Sequence, residues 1–273
     1  MADRRLEVAH APAALPASDV LGGWSPPLQC GKVLVGHLAR RRRPGRSSHN
    51  GCPVFSIVAE LALQIVVFPE YAITGDGTTD GDELTRAGAD MLSEAVPDPG
   101  GATPPCDAPD GGTVYPVTSR LSCMARKSAV VLVADLLDRQ PCEAPADPGC
   151  ADGKFLFNTA VAFDPQGQLI AKYHKRHLYG GEGRTLDRGS QPAGARFNTS
   201  FGVEFGLFIC FDLLFINGSI PPSDVAFPTD WVNFDQGGLP VERSVDAQRI
   251  WSGLHRRNLL ASNYGGAMLL TWA

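Results

Sequence analysis

The sequence has 273 residues, 44% hydrophobic and 19% charged, which is the balance of a globular chain able to bury a sizeable core as one large α/β domain or two small ones. A formal net charge of −5 leaves no electrostatic footprint for nucleic acid. No run approaches the ~18 uninterrupted apolar residues of a membrane-spanning helix, and "MADRRLEVAHAPAALPASDV" lacks the apolar core of a secretory signal.

Residues 1–54, with "SPP" and the basic run Arg40–Arg46, show little periodicity and read as a poorly structured, solvated segment. The texture changes at residue 55, where a domain spanning 55–273 is expected to begin. There "FSIVAELALQ" reads as a helix feeding "IVVFPE", a β-branched run of the kind that a sheet covered on both faces buries. Residues 75–113, rich in Gly, Asp, Pro and Thr, read as a long excursion.

After Pro116 a short helix presents Val117, Leu121 and Met124 on one face, and "AVVLVADLL" follows as a buried strand. In "FLFNTAVAFDPQGQLIAKYHK" two apolar segments flank Asp-Pro-Gln-Gly, the pattern of a hairpin. "GVEFGLFICFD" and "DVAFPTDW" read as two more strands, with Cys210 inside the first. Val241, Val245, Ile250 and Leu254 fall at helical spacing and predict an amphipathic helix, ending in "LLASN"; the strand-like "AMLLTWA" closes the chain. Strands alternating with helices give an α/β class, with a layered α-β-β-α arrangement among its forms.

Seven cysteines occur (Cys30, Cys52, Cys106, Cys123, Cys142, Cys150 and Cys210), with no CxxC pair. The close histidines His174 and His177 have no cysteine or acidic cluster beside them, which argues against a structural zinc site. Cys142 and Cys150 bracket a short Pro- and Asp-rich loop suited to a local disulfide, and an odd total leaves a free thiol. Asn198 and Asn217 head two glycosylation sequons. Disulfide and sequons favour an oxidising compartment, whereas the missing signal favours the cytoplasm.

Glu70, Lys175 and Cys210 stand at the ends of strand-like runs, where α/β sheets tend to assemble their sites. Singly, each has a bland reading as a loop, surface or core residue. Together they have a chemical logic. A thiol is largely protonated at neutral pH and needs a base, which a buried glutamate supplies, while a lysine can stabilise the oxyanion formed on an amide carbonyl. His174 or His177 as the base is the competing arrangement.

The segments "VVFPEYAITG", "FNTAVAFDPQGQLIAKYHKRHLYG", "FGLFICFDLLF" and "VAFPTDWVN" together resemble the carbon–nitrogen hydrolase (nitrilase) superfamily, and within it the pantetheinase and biotinidase branch. The resemblance covers roughly residues 55–265. It implies a nitrilase-like α-β-β-α sandwich, expected to be incomplete at both ends: "LEVAHAPAALP" reads at most as a remnant of the family's first strand, residues 20–53 do not read as the helix that follows it, and the family's later strands and C-terminal domain are not matched before the sequence reaches Ala273. It further implies Glu70 as general base, Lys175 as oxyanion-stabilising lysine, Cys210 as nucleophile and Glu182 as a second carboxylate. Phe211 is then expected to lend its backbone N–H to the oxyanion, with Tyr71 and Trp231 lining the acyl pocket. The implied reaction is hydrolysis of a small non-peptide linear amide, pantetheine or a biotin amide, through a thioester, with no metal or organic cofactor and no nucleic-acid partner. An inactive or unstable fragment that keeps the triad letters, and a nitrilase-type ω-amidase, are the alternatives. A secreted or extracellular location follows from the same resemblance.

Overall fold

The computed structural model describes residues 34–36, 63–75, 84–190, 195–215, 224–231 and 244–263. Two sheets carry the architecture. The first has the order β1 (Leu34–Gly36), β2 (Ile65–Val67), β3 (Val131–Pro141), β4 (Lys154–Phe163), β5 (Leu169–His174). In it β2 and β3 run parallel and every other pair antiparallel. The second holds β6 (Ala195–Asn198), β7 (Glu204–Leu207), β8 (Asp224–Pro228) and β9 (Leu259–Ser262), with β7, β8 and β9 mutually parallel. The helices are α1 (Arg86–Leu92), α2 (Gly111–Val114), α3 (Pro116–Ser128) and α4 (Ser244–His255).

Side chains of a strand alternate between faces, and the first sheet uses both. Val66, Leu132, Ala134 and Val161 pack under Leu121 and Ala125 of α3, with Val117 and Met124 against the same cluster. Ile65, Val67, Val131, Val133 and Ala160 face the other way, joining Phe205, Leu207, Val225, Phe227 and Leu259 of the second sheet. Helix α4 reaches that core through Ala247 and Trp251, whose ring stands edge-on to Phe208 at 5.5 Å. The result is a mixed α/β fold with the two sheets packed on each other.

Local chemistry explains several boundaries. Pro116 opens α3 at a position where no N–H is needed. The Glu94 carboxylate then accepts the free N–H groups of Val117 and Thr118, both at 2.7 Å. The β4–β5 hairpin turns on Asp164, whose Oδ1 accepts the Gln166 and Gln168 N–H groups at 2.9 Å. Gly167 completes that turn with φ 82, pressed onto α3 so closely that a Cβ there would meet the Ser122 carbonyl oxygen at 2.8 Å.

The structure departs from the sequence reading in several places. Strand β7 stops at Leu207, and Cys210 opens a 3-10 turn (Cys210–Leu214) instead of lying inside a strand. Helix α4 buries Ser244, Ala247, Gln248, Trp251 and Ser252 while Ile250 and Leu254 are 46% and 75% exposed. The large Trp251 sets that face, and pairing makes its polar atoms tolerable: Gln248 donates to Ser244 Oγ at 2.8 Å and Ser252 to the Arg257 carbonyl at 2.5 Å. "LLAS", read as the helix end, is strand β9. The excursion at 75–113 contains α1, α2 and a 3-10 turn (Pro105–Asp107). Strand β1 falls inside the segment expected to be irregular; Leu63 and Gln64, the end of the helix expected over 55–64, are not helical, and the rest of residues 1–54, residues 55–62, Val241 and "AMLLTWA" lie outside the described residues.

Candidate active site

Each site residue arrives on a strand end. The Phe68 N–H donates to the Val133 carbonyl at 2.9 Å, continuing the β2–β3 pairing, after which the chain turns at Glu70. Tyr71 takes φ 56, a conformation that an aromatic residue rarely adopts, and its N–H is held at 2.8 Å by Oδ1 of Asp135 on β3. Lys175 follows β5, its N–H donating to the Asn158 carbonyl of β4 at 2.8 Å. Cys210 follows β7 with φ 44. Two sheets thus deliver three functional groups to one corner.

There Lys175 Nζ donates to Glu70 Oε1 at 2.7 Å and to Glu182 Oε1 and Oε2 at 3.0 and 2.8 Å. Glu70 Oε1 also accepts from Asn158 Nδ2 (2.9 Å), and Oε2 from the Asp230 N–H (2.9 Å). Glu182 accepts from the Tyr71 hydroxyl, from Asn158 (3.2 Å) and from the Tyr179 N–H (2.6 Å). Glu70, Lys175 and Cys210 are 1%, 2% and 7% exposed, so these contacts act with little screening from water. Arg86 holds the turn that carries Glu182, bonding the Thr185 carbonyl (3.1 Å) and Asp187 (3.0 Å).

The electrostatics define a resting state. Burial works against the Lys175 ammonium, but Glu70, the Cys210 sulfur and Glu182 together hold its pKa well above the usual range. Burial likewise opposes the Glu182 charge, and Lys175 overrides it, holding that carboxyl below its ordinary value. Burial pushes the Cys210 thiol well up; the Glu70 carboxylate adds to the shift, and Lys175 only partly offsets it. Burial therefore favours the neutral thiol, with the Glu70 carboxylate beside it. Moving its proton to Glu70 shifts one negative charge from oxygen to sulfur without changing the net charge of the site. Burial, and then Glu182, push the Tyr71 hydroxyl up and keep it a neutral donor.

A second carboxylate shapes the elbow. Asp212, fully buried, accepts the Ile209 N–H (3.1 Å), the His177 N–H (2.9 Å) and the Tyr173 hydroxyl (3.0 Å), and its Oδ1 meets His177 Nδ1 at 2.8 Å. It ties the turn that carries Cys210 to the chain around Lys175. His177 stacks on Phe215 (4.2 Å), and His174 lies away from the thiol, stacked on Phe157 (4.0 Å) and paired with Asp138 (2.8 Å). Neither histidine stands in the Glu70–Lys175–Cys210 cluster. Among the described residues no group of His, Cys, Asp and Glu is arranged to hold a metal ion.

The other singled-out residues are placed as follows. The Phe211 ring lies edge-on between Tyr179 and Phe215, each at 5.1 Å. Trp231 packs against the inter-sheet core, its N–H bonded to Asn263 Oδ1 at 2.9 Å. Cys142 and Cys150 are joined (S–S 2.05 Å), and a second disulfide, Cys106–Cys123, pins α3 to the preceding turn. Cys210 is free. Asn198 is exposed on β6, and Asn217 lies outside the described residues.

The carbon-nitrogen hydrolase family profile matches residues 40–222. The chain belongs to that family. It is 36% identical over 212 residues to the pantetheinase of Homo sapiens and 35% identical over 220 residues to the biotinidase of Takifugu rubripes. These alignments take in 75% and 78% of this chain, but it spans only 39% and 41% of those relatives. An amidase from Nesterenkonia sp. AN1 superposes with a TM-score of 0.48 at 18% identity, over 78% of this chain and 70% of that one. The family match begins upstream of residue 55, the boundary read from the sequence.

Proposed function

We propose that this carbon-nitrogen hydrolase chain cleaves a small non-peptide amide with Cys210 as nucleophile, Glu70 as base and Lys175 as oxyanion partner. The observation that carries the reading is the buried Glu70–Lys175 pair at 2.7 Å, with the free Cys210 thiol on the same carboxylate. Glu70 takes the thiol proton as the sulfur attacks the carbonyl carbon. The oxygen gains the negative charge and is met by Lys175 and by the N–H of Phe211 at the elbow. The C–N bond then breaks, the amine leaves with the proton from Glu70, and a thioester to Cys210 remains. Water, deprotonated by the same glutamate, adds to the thioester and returns the thiol. Glu182 keeps Lys175 charged and aimed. Tyr71 contributes through its hydroxyl bond to Glu182, and Trp231 borders the acyl pocket.

Pantetheine and biotinyl amides are the substrates to test first, given the named relatives. Two disulfides support an oxidising compartment outside the cytosol. The test follows cysteamine release from pantetheine and p-aminobenzoate release from biotinyl p-aminobenzoate, each against Cys210→Ala. Release that survives in Cys210→Ala refutes the reading. Turnover of simple ω-amides with neither of these two would keep the thiol chemistry and replace the substrate.

A further inference from the structure

Thr229, immediately after β8, is fully buried, and its Oγ1 makes no hydrogen bond of full geometry although it lies within reach of the Cys210 sulfur. A buried hydroxyl without a partner is uncommon and calls for an explanation. Its backbone is fixed on both sides: the Thr229 N–H donates to the Ser262 carbonyl at 2.9 Å, and the next N–H, that of Asp230, donates to Glu70 Oε2 at 2.9 Å. The side chain therefore sits on the same strand end that positions the base, beside the Cys210 sulfur, where the hydroxyl acts to favour the thiolate.

We propose that Thr229 is a catalytic residue whose hydroxyl donates to the Cys210 sulfur once that sulfur is anionic, making it the second donor to the attacking thiolate after Lys175. A neutral thiol is a weak acceptor, so the hydroxyl gains little from it at rest; an anionic sulfur gives the hydroxyl a strong partner. The bond is thus made when charge develops, which is the condition for lowering a barrier without tightening the ground state. Among the described residues, the charged and titratable groups around the sulfur are Glu70 and Lys175 directly, Glu182 behind the lysine and Asp135 behind Tyr71. Of these, Lys175 alone offers a positive charge. Two donors offset a burial that otherwise suppresses ionisation.

The proposal rests on Cys210 being the nucleophile, but its test does not use amide hydrolysis. The rate of iodoacetamide labelling of the Cys210 peptide is followed by mass spectrometry from about pH 6 to about pH 10, since only the thiolate reacts. Thr229→Val removes the hydroxyl at nearly constant shape, and Thr229→Ala is a second hydroxyl-free variant should valine not be tolerated. Thr229→Ser keeps the donor. The hydroxyl-free variants are expected to label about tenfold more slowly at fixed pH, with the profile displaced about one unit upward, as for loss of one hydrogen bond to a charged group. Thr229→Ser is expected to follow the wild type. A hydroxyl-free profile superimposed on the wild type overturns the proposal, and so does a serine variant that falls as far as valine, which would make the effect one of packing. If labelling follows the proposal while no amide is cleaved, the functional reading alone fails.

Discussion

Replacing Asp212 by alanine isolates the carboxylate that holds the turn carrying Cys210. Its loss leaves the Tyr173 hydroxyl, the His177 N–H and the Ile209 N–H without their partner in a largely buried site. Each orphaned buried donor costs about 1–3 kcal/mol. The three share one cavity that water can partly fill, so the sum is less than additive, and about 3–5 kcal/mol is expected. Urea unfolding followed by tryptophan fluorescence measures it. Asp212→Asn keeps an acceptor oxygen but turns an amide NH2 toward donors, so about half the loss should remain. An alanine variant within about 1 kcal/mol of wild type would refute the assignment, because the three hydrogen bonds would then carry no net energy. Slower labelling of Cys210 should accompany the loss, since φ 44 at that residue depends on the turn being held.

Other perturbations separate the remaining parts of the account. Asp135 is fully buried with Oδ2 unpartnered, and burial, then the Glu70 charge, push its pKa well up. The folded state therefore keeps a proton that the unfolded chain releases above about pH 3.9, and stability is lost as pH rises from there toward the folded pKa. Asp135→Asn removes that dependence, so its unfolding midpoint should gain on wild type as pH increases; a constant difference would contradict the shift. Lys175→Met strands Glu70 and Glu182 beside each other and should cost about 3–5 kcal/mol by the same urea assay, unless a carboxylate takes up a proton. Restoration of stability in that variant at acid pH would identify the stranded charge as the cause. Opening the Cys142–Cys150 bridge, whose sequence separation is 8, should cost about 2.5 kcal/mol by loop entropy and leave Cys210 labelling unchanged.

The parts of the site that were legible in the sequence are those whose chemistry announces itself. Glu70, Lys175 and Cys210 are ionisable residues at the ends of apolar runs, and Glu182 lies seven positions beyond the lysine. Asn158 and Thr229 were not legible. One is a neutral residue on a strand and the other a hydroxyl beside a proline, and neither stands out until the sheets bring it to Glu70 or Cys210. Asp212 was visible only as a polar break in "FICFD", because its partners Tyr173 and His177 lie on another sheet and the loop beyond it. The turn at Cys210 takes a positive φ, which side-chain type does not encode. The exposed and buried faces of α4 were exchanged because one large Trp251 outweighs the spacing of Ile250 and Leu254. The Cys106–Cys123 bridge joins residues brought together by the packing of α3, a distance that sequence separation does not give.

The central claim is that Cys210 carries the acyl group, and acid-quenched mass spectrometry of the chain mixed with pantetheine or a biotinyl amide tests it most directly. The account predicts the mass of the acyl group on the Cys210 peptide of the wild type, removed by hydroxylamine and absent from Cys210→Ala. Amine release at full rate with no acyl group on Cys210, or with the group on another residue, would contradict it.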